Sequence, residues 1–204
     1  MFMLTPLRYQ FSNHDCGTAI MENALSYMIP RQHFPPDLLH YVYNFLLDGY
    51  TKRGWGFYGT NHESLCFFAS WLQAYFDQWK HFKMHVEFYR NETVTVDFIK
   101  EMFKKNAKKK ICVVVYNYDT WGHYILITGF TKDGDVKAWD PDFRNRLSPK
   151  DTPFKIVTDH PCEYNRIIPA SSLDSTDPTV TFALGPFEER DAFFLIKDPI
   201  SRKK

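Results

Sequence analysis

The apolar positions in the first 80 residues recur at helical spacing. One such pattern starts at Cys16 and ends at Pro30, a second follows Pro35 and stops at Gly49, and a third covers roughly residues 63–79. Proline suits the first turn of a helix but interrupts its interior, and glycine is frequent just beyond a helix end. The pattern therefore predicts a helical N-terminal part.

After residue 83 the pattern changes to alternation and to β-branched runs, which are typical of strands. The predicted strands cover residues 84–89, 111–116, 123–130 and 136–139. A short helix over 97–106 separates the first two, and a tight turn at Asp133-Gly134 joins the last two as a hairpin. Helices followed by an antiparallel sheet predict an α+β fold.

Length and composition favour one domain. The chain has 204 residues, of which 44% are hydrophobic and 24% charged, so it can bury one substantial core, whereas two halves would be marginal. We expect a single domain over 1–204, with its core in 8–141 and with 142–204 as a C-terminal extension of the sheet and its loops. Within that extension a loop is expected over 169–178, and strand candidates are residues 154–157, 179–184 and 193–197.

The charge pattern gives no indication of nucleic-acid or membrane binding. The formal net charge is +1 at pH 7, and the densest basic stretch, 104–110, falls at a predicted helix end, where cations suit the helix dipole. No apolar run approaches the roughly 20 residues that cross a bilayer, and residues 1–8 lack the pattern of a secretory signal. The four cysteines form no C-x-x-C pair, so free thiols and a cytoplasmic location are expected.

Cys16 is the best-placed nucleophile. A thiol attacks as the thiolate, and the free backbone N–H groups in the first turn of a helix favour an anion. Cys16 opens the first predicted helix, Asp15 is the expected N-cap, and Gly17 leaves the approach of a substrate open. The other thiols are expected in apolar elements or in a loop, and they are Cys66, Cys112 and Cys162.

His123 and Asp140 are the predicted partners of this thiol. A cysteine nucleophile needs a general base, and His123 follows a Trp121-Gly122 turn and opens a strand, which fixes the direction of its ring. A third group must hold the imidazole in one tautomer. Asp140 ends the strand that returns from His123 through the hairpin, and neighbouring strands lie about 4.8 Å apart. The sequence therefore predicts that Cys16, His123 and Asp140 form a triad.

Two histidine spacings allow metal binding on paper. His62 and Cys66 are four apart on a predicted helix, and His81 and His85 are four apart in a stretch with a strand pattern, where that spacing gives no shared face. Neither pair has further ligands near it. We expect no metal site and no cofactor.

Four motifs follow one another along the chain, and they are Gln10, Asp15-Cys16-Gly17, Gly122-His123 and Trp139-Asp140-Pro141. This order resembles a known group of enzymes, the papain-like superfamily, and most closely its C39-like peptidase family, which is related to bacteriocin-leader processing domains. The resemblance covers about residues 10–141. The family's transporter-linked members carry membrane and ATP-binding domains, and neither is expected from the residues of this sequence.

The resemblance implies a papain-like fold, with N-terminal helices packed on an antiparallel sheet, and a role for each site residue. Cys16 would be the nucleophile, His123 the base and then the acid, and Asp140 its partner. Gln10 would donate to the developing oxyanion together with the backbone N–H of Cys16.

Three functions remain open at this point. The first is a thiol peptidase or amidase, in which water resolves an acyl-thioester. The second is an acyltransferase of small-molecule biosynthesis, similar to the butirosin H N-terminal type. The third is a catalytically silent peptide-binding module, against which the intact triad argues. The expected partner is a peptide or a small acyl substrate, and the sequence does not specify the oligomeric state. The residues expected to contact the substrate are Gly17, Trp55, Trp121 and Gly122.

Overall fold

The computed structural model describes residues 5–79, 83–118 and 122–199. Its first half is helical, with α1 over Cys16–Met28, α2 over Pro36–Leu46 and α3 over His62–Asp77. A small hairpin of β1 (Tyr50–Thr51) and β2 (Gly54–Trp55) lies between α2 and α3. The first helix ends at Met28 because Pro30 cannot continue it.

The second half forms one antiparallel sheet of seven strands in the order β3-β9-β4-β5-β6-β8-β7. A helix α4 (Val96–Lys105) follows β3, and a single-turn helix α5 (Ala170–Leu173) follows β8. The strands are β3 (Met84–Arg90), β4 (Lys110–Asn117), β5 (His123–Phe130), β6 (Val136–Trp139), β7 (Lys155–Ile156), β8 (Arg166–Ile168) and β9 (Asp191–Lys197). The predicted α+β class is confirmed.

Apolar layers cover both faces of the sheet. On β4, Cys112 and Val114 face the layer formed with α1, α2 and α3, whereas Val113 and Val115 face the layer that includes α4. Strand side chains alternate between faces, so a strand that is buried on both sides reads as a continuous apolar run. The helix α1 packs across β4 and β5, which brings its N-terminal end to the start of β5.

The segment after Pro141 takes part in the middle of the sheet. Strand β9 lies between β3 and β4, and all of its residues are buried. The division into a core over 8–141 and an extension over 142–204 therefore does not describe the sheet, because the inner strand β9 comes from the last part of the chain.

Two predictions in this segment are wrong. Residues 179–184 form turns and not a strand, because Thr179 bonds to the Asp177 side chain and the N–H of Ala183 bonds back to Val180 (3.0 Å). Short polar side chains that bond their own backbone in this way compete with a strand ladder. The loop expected over 169–178 contains α5.

Candidate active site

The loop before α1 fixes the position of Cys16. The Asp15 carboxylate accepts hydrogen bonds from the backbone N–H groups of Phe11 (3.0 Å) and Ser12 (2.7 Å). Asp15 occupies the N-cap position, but the predicted side-chain cap is absent, because these loop N–H groups bind its carboxylate instead. The first helical bond to Asp15 comes from the N–H of Ala19 (2.9 Å), so the earlier N–H groups of α1 remain available at the thiol.

The thiol of Cys16 lies against the first residues of β5. The groups that act on this thiol and lower its pKa are the side chain of His123 and the backbone N–H groups of Tyr124 and Gly17. Burial alone raises the pKa of this thiol. The hydrogen bond to His123 and its charge, with the two N–H groups, outweigh burial and lower the pKa of Cys16 below its ordinary value. The surroundings therefore favour a thiolate beside an imidazolium.

His123 lies between Cys16 and Asp140. Its Nε2 is 2.9 Å from Asp140 Oδ1, which leaves Nδ1 as the ring nitrogen for the thiol. Burial alone lowers the pKa of His123, but the hydrogen bonds to Asp140 and Cys16 and their charges raise it. Burial likewise raises the pKa of Asp140, and the hydrogen bond and charge of His123, with the charge of Arg166, lower it. The three side chains thus form a chain of alternating charge.

The register of the β5–β6 hairpin explains why His123 and Asp140 meet. Leu126 pairs with Trp139, so Asp140 follows at the level of Ile125, and His123 lies two residues further along the same face of β5. Diagonal neighbours of this kind are about 7–8 Å apart at their backbones, within reach of a histidine side chain.

Gln10 lies at the edge of this group. Its backbone N–H donates to the carbonyl of Pro141 (2.9 Å), and the neighbouring Arg8 carbonyl accepts from Trp139 Nε1 (3.0 Å) and Asn23 Nδ2 (2.8 Å). The Gln10 amide oxygen is buried and has no hydrogen-bond partner among the described residues. The fold therefore fixes the backbone of Gln10 beside Asp140 without using its amide oxygen.

The two glycines predicted to contact substrate have packing roles in the structure. Gly17 is buried, and a Cβ there would overlap the side chain of Thr60, so its small size lets α1 pack against the segment that enters α3. The role of Gly17 at the approach of the substrate stays a prediction. Gly122 has φ +74, and a Cβ there would overlap the Tyr116 hydroxyl.

The structure describes only one of the two tryptophans that are predicted to contact the substrate. Trp55 is exposed on β2, where its ring lies 5.1 Å from that of Tyr50. Another ring of the same loop, Phe57, lies 5.8 Å from the ring of His14, two residues before Cys16. Aromatic side chains are therefore present on the loop beside the nucleophile. Trp121 lies outside the described residues.

A second histidine–aspartate pair lies at the same end of the strands as the first, at the beginning of β9. His62, the first residue of α3, is bonded through Nδ1 to Asp191, the first residue of β9. Its ring is 4.7 Å from that of Tyr116. The hydrogen bond to Asp191 raises the pKa of His62, against the effect of burial, and the charges of Asp191 and Glu189 add to it. The sequence-based prediction considered His62 only as a metal ligand, and it did not include this pair.

The remaining cysteine and metal predictions have mixed outcomes. Cys112 is buried as expected, but Cys66 is exposed, because the buried face of α3 runs through Leu65 and Phe68 and leaves position 66 outside. All four cysteines are free. Across 5–79, 83–118 and 122–199 no three His, Cys, Asp or Glu residues are placed to hold a metal ion. His81 lies outside these ranges.

Two residues that contact Asp140 were also missed by the sequence. Asn165 bonds the Asp140 backbone and Arg166 faces its carboxylate. The one available signal was an arginine directly before two isoleucines in the segment that forms β8.

No helix in the described part of the chain is long and apolar enough to cross a membrane. No family model, no curated protein and no solved structure matches this chain.

Proposed function

We propose that the protein is a cysteine peptidase or amidase that works through an acyl-thioester on Cys16. The observation that carries the proposal is the chain from the partly buried Cys16 through the buried His123 to Asp140, in which His123 bonds Asp140 through Nε2 and also interacts with the thiol. A nucleophile, its base and the group that orients the base are the three components of covalent acyl transfer.

The proposed reaction has two halves. The Cys16 thiolate attacks the carbonyl carbon of an amide, and the charge that develops on oxygen is met by the backbone N–H of Cys16 and the Gln10 side-chain amide. His123 then gives its proton to the leaving nitrogen, the C–N bond breaks, and an acyl-thioester remains. In the second half His123 takes a proton from water, the hydroxide adds to the thioester, and the acid leaves as Cys16 returns to the thiolate.

The papain-like and C39-like assignments belong to this proposal as well. They are supported by the helix-borne cysteine, the strand-borne histidine and the aspartate that follows the next strand, in that chain order. A cytoplasmic setting is proposed with them, because the four free cysteines suit a reducing compartment.

The first test is iodoacetamide alkylation at pH 6, followed by peptide mass spectrometry. The exposed Cys66 is the matched control for accessibility. We expect Cys16 to react at least about tenfold faster than Cys66, because at this pH an ordinary thiol is almost entirely protonated. Equal rates at the two thiols would contradict the proposal.

A second measurement concerns the acyl-enzyme. Incubation with p-nitrophenyl acetate should give an acetyl adduct at Cys16 that water removes, and Cys16→Ala should give neither adduct nor turnover while unfolding at an unchanged temperature. An adduct that leaves only when an amine is added would instead indicate an acyltransferase.

A further inference from the structure

The backbone of Asp140 is held by one residue of the segment after Pro141. Asn165 precedes β8, and its Oδ1 accepts from the backbone N–H of Asp140 (2.8 Å) while its Nδ2 donates to the Asp140 carbonyl (2.8 Å). Asn165 is itself fixed, because its own N–H donates to the carbonyl of Ala138 (3.0 Å). These two hydrogen bonds hold the two peptide groups that flank the Asp140 Cα, which leaves little freedom for the backbone that carries the carboxylate.

The carboxylate of Asp140 is held by the next residue. Arg166 is 1% exposed, and its Nη2 lies 3.2 Å from Asp140 Oδ2, the oxygen that does not face His123. The guanidinium also donates to the carbonyls of Asn165 (2.9 Å) and Asp142 (3.1 Å). A guanidinium buried to this degree is unfavourable unless an anion and hydrogen-bond acceptors surround it, and here Asp140 supplies the anion.

We propose that Arg166 is a positioning residue of the site, which keeps Asp140 ionised and, together with Asn165, oriented behind His123. This inference rests on the proposed function. The charges then alternate along one line, from Arg166 through Asp140 and His123 to the Cys16 thiolate. Without Arg166, only His123 and the backbone N–H of Asp142 oppose the effect of burial, so the protonated form of Asp140 becomes less unfavourable. A neutral Asp140 stabilises the imidazolium less, so the thiolate at Cys16 is favoured less.

Other charged groups near Asp140 do not substitute for Arg166. Arg144 has its Nε 4.0 Å from Asp140 Oδ2, but it is closer to Asp142 (3.0 Å) and also faces Asp151 (3.7 Å). The backbone N–H of Asp142 donates to Asp140 Oδ1 (2.9 Å) and carries no charge. Arg166 is therefore the buried cation in direct contact with the carboxylate oxygen that His123 leaves free.

The test is the pH dependence of Cys16 alkylation by iodoacetamide in the full-length protein. For Arg166→Met we expect the acid limb of the rate profile to move up by about one pH unit or more, which is about a tenfold slower reaction at pH 6. Arg166→Lys keeps the charge and should restore most of the wild-type profile. The matched control is Arg190→Met, because Arg190 is equally buried but pairs with Asp174 (3.0 Å). It should leave the profile unchanged.

The outcomes separate the two proposals. An unshifted limb in Arg166→Met, or an equal shift in Arg190→Met, overturns the role of Arg166 while the proposed function stands. A wild-type limb at the position of an ordinary thiol overturns the proposed function itself. If Arg166→Met does not fold, Arg166→Gln decides, since it keeps a donor without the charge. A limb moved upward supports the inference, and an unmoved limb overturns it.

Discussion

Two histidine–aspartate pairs lie at the same end of the strands of one sheet, and they differ in the other group with which the histidine interacts. His123 binds Asp140 through Nε2, and the same ring interacts with the thiol of Cys16. His62 binds Asp191 through Nδ1, and its Nε2 is 3.8 Å from a carboxylate oxygen of Glu189. One histidine therefore links an acid to a nucleophile, whereas the other lies between two acids.

The arginines that contact the two aspartates differ in how deeply they are buried. Arg166 is buried against Asp140 (3.2 Å), whereas Arg90 is partly exposed where it binds Asp191 (3.1 Å). A raised histidine pKa is common to both pairs. That property alone does not identify a catalytic base, because an ordinary ion pair produces it too. The feature that distinguishes His123 from His62 is its interaction with a nucleophile, the thiol of Cys16.

The largest expected effect comes from removing each histidine in turn. His123→Ala should slow alkylation of Cys16 at pH 6 by roughly 100-fold, because burial then acts on the thiol without the opposing charge. His62→Ala should leave that rate within about twofold, since His62 does not contact the sulfur. Alkylation quenched at a series of times and analysed by mass spectrometry measures both rates.

The distinction between the two pairs does not hold if Cys16 is alkylated at the same rate in both variants. Circular dichroism spectra of both proteins control for unfolding. A slow reaction in folded His62→Ala would mean that the second pair also sets the state of the thiol, and the assignment of His123 as the base would lose its support.

The sequence predicted one pair because that pair depends on local structure. The spacing between His123 and Asp140 contains a short hairpin whose turn is visible as Asp133-Gly134, and the strands β5 and β6 have the predicted bounds. Cys16 was identifiable because a helix pattern begins at it. Local periodicity and turn chemistry thus carry the candidate triad.

The sequence could not predict the contacts that depend on strand order. Asp191 reaches His62 because β9 inserts between β3 and β4, and Asn165 reaches Asp140 because the three-residue β8 pairs with β6. Neither pairing leaves a periodic signal, since β8 is too short and β9 is buried on both faces. Long-range pairing in a sheet is fixed by packing of the whole chain, and one sequence does not show it.

The second prediction concerns Gly122, which connects the two pairs. Its φ of +74 is unfavourable for other residues, and a Cβ would overlap the hydroxyl of Tyr116, whose ring packs on His62. We expect Gly122→Ala to lower the free energy of unfolding by about 2 kcal/mol, from backbone strain and overpacking. It should also slow Cys16 alkylation, because the displaced residue precedes His123.

Gly129→Ala is the matched control for Gly122→Ala. Gly129 lies in β5, the strand that Gly122 precedes, and no atom of the described residues lies within 4 Å of the position that its Cβ would take. We expect the stability of this variant to remain within about 0.5 kcal/mol of wild type. Equal losses in the two variants, measured by urea unfolding, would show that the strand is simply intolerant of alanine and that Tyr116 does not set the requirement.

The smallest expected effect is the pH dependence of the His62 pair. The folded protein raises the pKa of His62 through Asp191, so the pair stabilises the fold fully below the ordinary histidine pKa of about 6.5 and loses that contribution as pH rises through the raised value. The advantage of wild type over His62→Gln should be about 1 to 2 kcal/mol at pH 5.5, as for a hydrogen bond to a charged group. It should shrink towards pH 9.

Urea unfolding of the two proteins across this range measures the difference, and Cys16 alkylation in His62→Gln serves as the internal control. A constant difference would mean that His62 acts by packing on Tyr116 and not by charge. A difference that grew with pH would contradict the direction of the pKa shift. If the stability difference changes with pH while the alkylation profile of His62→Gln matches that of wild type, the second pair is a structural ion pair, because its proton is then linked to folding and not to the thiol.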